Sequence, residues 1–416
     1  MEARACYGDI VRFQIGPWAP MHLLSHPDYI KHVLIDSYRN FRKVRLYSLL
    51  ELGFGDGLFT SEGDLWQRQR RLIQPYFNHD HIAALSTLIT NAVQARLARW
   101  EESCKRGAVL EIETEMVEVV RKAMVHALFS ADIGEEVEAV RRAFLQTVGP
   151  SLLASRLPTP PGRRRLLLAW EKLGARVREI IRERKRSGHH TGDLLSMLMR
   201  ARDNRTGLGM SDKQVQDEAI TLIFTGIETA AQALTWTWYL LAQHPQVERK
   251  LHAELAEVLG GRLPGFYDLP QLRYTSMVIH EVLRLFPPAW ANARCAVRSD
   301  QIGGYHIPAG SIVIFSQYVM HRHPDFWENP DSFDPDRFAP ERSAVRPDYV
   351  YFPFGGGPRQ CIGRNFALME TQLVLAAIAQ HFRLRFVPGQ PVELNPTVTL
   401  QSRHGIRMTL EKIEHK

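Results

Sequence analysis

The spacing of apolar residues changes twice along the chain. From Asp64 to Leu285 they recur every three to four positions, which places them on one face of successive helices. Residues 9 to 25 alternate in short runs and predict a hairpin of strands, followed by a helix from about Pro27 to Ile35. After Pro287-Pro288 the period shortens. Gln301 to Tyr318 alternates, with turn residues Gly303-Gly304 and Pro308-Ala309-Gly310, and predicts a small sheet. His321 to Tyr349 has no clear period and is predicted irregular. An apolar helix is predicted from about Asn365 to His381, and strand patterning returns from Pro396 to Leu410.

One helix stands apart. Ser211 and Gln214 form an S-x-x-Q start of the capping-box kind, and the pattern ends at His244-Pro245, as proline requires. Roughly thirty residues at helical rise give about 45 Å. Ala219 to Phe224 and Ala230 to Leu241 are apolar nearly all round, whereas a surface helix is apolar on one side. Glu228, Gln232 and several threonines interrupt the segment, so a buried central helix fits better than a membrane span. A buried glycine and a buried carboxylate in Thr225-Gly226-Ile227-Glu228-Thr229 both cost stability, so something must offset them.

Length alone, 416 residues, would allow two or three domains. No linker supports a split, because the Pro-rich stretch Leu157 to Gly162 is short and helical patterning resumes beside it. The expectation is one mainly α domain over residues 1–416, with a small β region. No apolar run of spanning length lies between Met1 and strand-like Asp9 to Ile15, so neither signal peptide nor membrane anchor is expected. The abrupt start leaves open an upstream segment lost from this chain.

The formal charge is +7, with basic clusters at Arg163-Arg164-Arg165 and Arg176 to Arg186. Solvated helix faces are the simplest account of both. Nucleic acid is excluded, since no recognition motif or aromatic interleaving accompanies the charge; an acidic redox protein docking on a positive face is a better partner. Cys6, Cys104, Cys295 and Cys361 are few and scattered. They form neither a disulfide framework nor a zinc pattern, and a reducing compartment fits.

Cys361 has unusual neighbours. It lies in Phe354-Gly355-Gly356-Gly357-Pro358-Arg359-Gln360-Cys361-Ile362-Gly363, just before the helix that opens near Arg364. Glycines allow close backbone approach to something bulky. An arginine two residues earlier can fork onto a carboxylate, and a helix N-terminus favours a thiolate. Phe, Gly, Arg, Cys and Gly at these spacings have a chance of roughly 10⁻⁷ per window from average composition. The decapeptide resembles the haem-binding loop F-x-x-G-x-R-x-C-x-G of the cytochrome P450 family, whose cysteine is the axial ligand of haem iron.

That resemblance covers essentially the whole chain and assigns further residues. Thr225 to Ala230 is similar to the family's (A/G)-G-x-(D/E)-T-(T/S), departing at Thr225 and at Ala230. Glu228 and Thr229 match its acid–alcohol pair, which implies a catalytic role in proton delivery. Glu281 and Arg284 match the family's E-x-x-R, with Arg337 as third member of a structural clamp behind the cysteine loop. Trp66 and Arg70 form W-x-x-x-R, and with Arg294 and Arg359 they are the implied partners of the haem propionates. Phe354 is implied to pack over the sulfur, and Gly357 and Gly363 to give the haem clearance.

The fold implied is the cytochrome P450 fold, enclosing haem b between the central helix and the cysteine-loop helix. The implied activity is monooxygenation of a small apolar substrate, with a long-chain fatty acid or a terpenoid favoured and a polyketide also compatible. A soluble, cytoplasmic, monomeric protein is expected, without nucleic-acid partner. Electrons are expected from ferredoxin and ferredoxin reductase using NAD(P)H, since no flavin domain is seen. A peroxide-driven peroxygenase and a non-catalytic haem-based sensor are the alternatives; an intact Glu228-Thr229 pair disfavours both. The pocket is expected to be lined by Lys43 to Gly63, Phe144 to Leu168, Leu222 to Thr225 and Ala289 to Ala291, with Trp290 narrowing it.

Overall fold

The central helix spans Asp212–Gln243 in the computed structural model, 32 residues or about 48 Å. Its start is the expected capping box: Gln214 N–H donates to Ser211 Oγ at 3.2 Å, and Ser211 N–H donates to Gln214 Oε1 at 3.0 Å. The structure describes residues 2–14, 20–44, 47–153, 160–188 and 191–414. Two compact units arise from the contacts within it, one of Ser48–Thr275 with Asn365–Lys416, the other of Met1–Tyr47 with Ser276–Arg364.

The larger unit is built around the central helix. Helix Ile112–Phe129 packs along it, and Gly226 permits this approach: a Cβ there would lie 2.6 Å from Met124 Cε. One cost noted in the sequence is thereby offset by helix packing. Further down, Trp236 Nε1 donates to the Leu400 carbonyl at 2.8 Å, tying the helix to the hairpin of Leu394–Pro396 and Leu400–Ser402. Strands Val109–Glu111, Arg407–Lys412 and Phe382–Phe386 form an antiparallel sheet. One basic cluster departs from expectation. Arg163, Arg164 and Arg165 are exposed, but Arg184 is buried and grips Asp193 at 2.6 and 2.7 Å, with Ser196 at 3.0 Å. Its charge is therefore held in an ion pair rather than solvated. No helix among the described residues is long and apolar enough to cross a membrane.

In the smaller unit, strands Ile10–Phe13 and Met21–Leu24 form the predicted hairpin. They continue into a five-stranded sheet through Ile312–Phe315, Asn292–Ala296 and Phe41–Lys43, antiparallel except where Met21–Leu24 meets Ile312–Phe315. Asp300–Ile302 and Tyr305–Ile307 pair across Gly303 and Gly304, whose φ of 56° and 83° are the left-handed values that a two-residue turn requires. Several short elements escaped the sequence pattern: helix Glu2–Tyr7, and strands Phe41–Lys43, Val109–Glu111, Asn292–Ala296 and Phe382–Phe386. Three to six residues are too few to display a period. Tyr318, expected in a strand, lies in the short helix Gln317–Met320, capped by Ser316.

The same unit holds the E-x-x-R pair, and both side chains are 0 % exposed. Arg284 Nε and Nη2 donate to the two Glu281 oxygens at 2.7 Å each. Its remaining N–H groups reach the carbonyls of His321 at 2.8 Å, Pro330 at 2.6 Å and Ser332 at 3.0 Å. All five guanidinium donors are thus used, which is what a buried arginine needs. Glu281 also accepts from Asp334 N–H at 3.0 Å and lies 3.5 Å from Arg337 Nε, as expected for the clamp's third member. Removing the guanidinium strands a buried carboxylate and three carbonyls. Arg284→Ala is expected to lose about 3–5 kcal/mol of stability in denaturant unfolding; a loss below about 1 kcal/mol, the size of an exposed ion pair, would contradict this account.

Candidate active site

Cys361, Arg359, Phe354, Gly357, Gly363 and Arg294 fall in the smaller unit, and Trp66, Arg70, Glu228 and Thr229 in the larger. The cysteine loop is held by its own backbone: Cys361 N–H donates to the Phe354 carbonyl at 2.9 Å, Gly355 N–H to Phe352 O at 2.9 Å, and Gln360 N–H to Gly357 O at 3.0 Å. These bonds close a turn with the Cys361 side chain exposed, followed by helix Arg364–Ala379 immediately after Gly363. Gly357 has φ of 66°, and a Cβ on it would overlap the Leu34 carbonyl; a Cβ on Gly356 would overlap the Tyr349 ring. Both glycines are already required by protein neighbours, independently of any cofactor.

Sequence reasoning missed the residue that links this loop to the buried ion pair. His321 is fully buried, and its Nε2 accepts from Phe352 N–H at 3.0 Å. An accepting Nε2 makes Nδ1 the protonated nitrogen, and it donates to the Arg284 carbonyl at 3.2 Å. Burial and the Arg284 charge hold the imidazole well below its usual pKa, so it stays neutral in this tautomer. The Arg284 network therefore reaches Phe352, two residues before Phe354. Nothing in the sequence marks His321, since its bonds are to backbone groups far along the chain. Arg294 is also buried; its Nη1 donates to the Ala293 carbonyl at 2.8 Å, and its guanidinium lies 5.9 Å from the Phe315 ring centre.

In the larger unit, Trp66 and Arg70 sit one turn apart on helix Gly63–Ile73, with Trp66 buried and Arg70 partly exposed. Arg70 Nε donates to Gln74 at 3.0 Å. The central helix carries the most informative surface. From Val215 to Trp238 every residue is buried except Thr225, Gly226, Glu228 and Thr229. These four lie on one side of the helix, the only partly buried positions in that stretch. Thr225 Oγ1 donates to the Thr221 carbonyl at 2.7 Å, and Thr229 Oγ1 to the Thr225 carbonyl at 2.8 Å. Each hydroxyl thereby satisfies its proton within the helix and keeps lone pairs that can accept.

Glu228 is not the isolated carboxylate that its setting in the sequence suggests. Its Oε1 accepts from Gln401 Nε2 at 2.6 Å, Gln232 Nε2 at 3.4 Å and Thr399 Oγ1 at 3.5 Å, and its Oε2 lies 3.4 Å from Arg141 Nη1. Gln232 is its neighbour at i+4 and was visible in principle. Gln401 and Thr399 come from the C-terminal hairpin and carry no local signal.

The loop before Trp66 is fastened to the same helix. Asp56 N–H donates to Asp217 Oδ2 at 3.2 Å, and Leu58 N–H to Glu218 Oε2 at 3.0 Å. A Cβ on Gly57 would overlap Thr221 Oγ1. This contact holds an aromatic group in place: Phe54 lies 5.7 Å from Phe59, 5.0 Å from Trp170, and 6.1 Å from both Phe144 and Phe224. Of the predicted pocket segments, three meet here, joined by Trp170 from just beyond them. Ala289 to Ala291 falls in the other unit, and part of Phe144 to Leu168 lies outside the described residues.

A family profile described as Cytochrome P450 matches residues 1–409. Cyclooctatin synthase of Streptomyces melanosporofaciens is 38 % identical over 95 % of this chain and 87 % of its own. Cyclooctat-9-en-7-ol 5-monooxygenase of the same organism is 37 % identical over 92 % and 84 %. Pentalenene oxygenase of Streptomyces avermitilis is 32 % identical over 99 % and 92 %. Among solved structures, the cytochrome P450DA haem domain is similar with a TM-score of 0.91 and 26 % identity, covering 99 % of this chain and 92 % of that one. The expected fold and reaction class are both met: the chain belongs to the cytochrome P450 family of haem-thiolate monooxygenases.

Proposed function

We propose that this chain hydroxylates or epoxidises a terpenoid, holding haem b through the Cys361 thiolate and taking electrons from ferredoxin and ferredoxin reductase in the cytoplasm. The observation that carries this reading is the partly buried face of Thr225, Gly226, Glu228 and Thr229 on a helix otherwise buried from Val215 to Trp238. A flat cofactor and its oxygen substrate need such a face, bordered by a hydroxyl and a carboxylate. The donor set fits the same group. Cys361 offers an exposed sulfur beside a helix start, and Arg359, Arg294, Arg70 and the Trp66 indole offer the forked and single N–H donors that two propionates accept.

When bound, the haem supplies activation of dioxygen for insertion into an unactivated C–H bond. The chain's own residues do the rest. Cys361 ligates, with its backbone N–H fixed on Phe354 O. Phe354, Gly357 and Gly363 shape the loop around the sulfur. Thr229 Oγ1 accepts and passes a proton that Glu228 provides, and Gln401 and Arg141 hold Glu228 in place for that transfer. The aromatic group around Phe54 offers an apolar wall for the substrate, and the substrate class follows the terpenoid-modifying relatives.

Two measurements test this. Cys361→Ser is expected to abolish the carbon-monoxide difference band characteristic of thiolate-ligated haem; survival of the band removes Cys361 as ligand. Cyclic terpenoid alcohols, titrated against the ferric protein, are expected to give saturable spectral shifts where straight-chain fatty acids give weak ones. Gly57→Ala, which must push its loop off Thr221, is expected to weaken the terpenoid shift about tenfold, as overpacking costs about 1–3 kcal/mol. Stronger shifts with fatty acids would overturn the substrate class.

A further inference from the structure

Glu113 is a second carboxyl behind that face, and the reaction as described above does not use it. It lies in the first turn of helix Ile112–Phe129, half-buried beside the exposed Thr114. Gln232, fully buried on the central helix, points its Nε2 at both acids: 2.9 Å from Glu113 Oε1 and 3.4 Å from Glu228 Oε1. Its own Oε1 is buried with no hydrogen-bond partner among the described residues. One amide group therefore serves two carboxyls with its nitrogen, while its oxygen stays unsatisfied.

That arrangement is incomplete for two ionised acids. Two like charges on one nitrogen repel, and a buried acceptor without a donor costs about 1–3 kcal/mol. A single proton on the pair removes the repulsion between the two charges. The other groups facing Glu113 are Glu111, which ends strand Val109–Glu111 and caps the helix of Glu113, and Arg141 from helix Gly134–Leu153. Gln401, Thr399 and Arg141 all face Glu228 as donors. They leave Glu113 as the better home for a shared proton.

We infer that Glu113 is a positioning residue that sets the charge of Glu228, the two carboxyls sharing one proton across the Gln232 side chain. The inference rests on the reading of Glu228 as the proton donor to Thr229. For each proton delivered, the O–H bond on Glu113 breaks and one forms on Glu228, which passes that proton to Thr229; Glu113, half-buried, then takes one up from solvent. No electrons move. Burial and the nearby Glu228 charge push the Glu113 carboxyl up to about 7, consistent with its holding a proton near neutrality.

The sign of the linkage gives a test without turnover. A carboxyl whose pKa rises on folding, from 4.5 to about 7, binds its proton more tightly in the folded chain. Its stabilising effect is full below about 4.5 and is lost as pH rises through about 7. Relative to Glu113→Gln, which cannot titrate, the haem-loaded ferric wild type is expected to lose stability across that window, by on the order of a hundredfold in the folding constant. Glu228→Gln should shift the same titration toward lower pH, by removing the neighbouring charge. In turnover, Glu113→Gln is expected to lower kcat severalfold and flatten its pH profile, with KM unchanged. Parallel stability profiles for wild type and Glu113→Gln would overturn the shared proton. If the titration is present but Glu228→Gln leaves product per electron pair unchanged, the reading of Glu228 fails instead.

Discussion

A helix enclosed on every side has no room for chemistry, and the arrangement of the larger unit follows from relieving that constraint at one place. Asp212–Gln243 is packed by helix Ile112–Phe129, tied at Trp236 to the C-terminal hairpin, and fastened at Asp217 and Glu218 to the loop around Gly57. Only Thr225, Gly226, Glu228 and Thr229 are less than fully buried between Val215 and Trp238. Packing sets the limits of that face: Gly226 allows the approach of Met124 on one flank, and Gln401 and Arg141 hold Glu228 at the edge. The acid and the hydroxyl are thus held in place by protein contacts.

The smaller unit solves a different problem, that of holding the Cys361 thiol in a fixed loop. Five donors from Arg284 hold Glu281 and three carbonyls, and the Arg284 carbonyl in turn orients His321 toward Phe352. Gly357 and Gly356 let the loop pack on Leu34 and Tyr349. Rigidity at Cys361 therefore originates in a desolvated ion pair many residues away. An arginine with every donor satisfied contributes little net stability as a pair, yet its loss would unfasten the loop.

Much of this was legible in the sequence wherever one local pattern decided the outcome. Ser211 and Gln214 announce the capping box, and the all-round apolar run announces a buried helix. Glu281 and Arg284 stand in an apolar setting that implies their burial. Legibility failed where long-range bonds decide. Arg184 reads as part of a solvated basic face, but Asp193 draws it inside. His321 and Gln401 act through partners far away in the chain, and Gln232 reads as a mere interruption of an apolar helix, although it joins two acids. The glycines of the cysteine loop suggest clearance for a cofactor; the structure shows that protein neighbours already demand two of them.

The central claim is that the partly buried face of the central helix is where protons meet oxygen, and Thr229 is the group on which it turns. The direct measurement is the ratio of product to peroxide per electron pair in Thr229→Ala, supplied with ferredoxin and its reductase. With haem content unchanged, the account predicts that most electrons go to peroxide, whereas the wild type sends them to product. Unchanged coupling in the variant would contradict it.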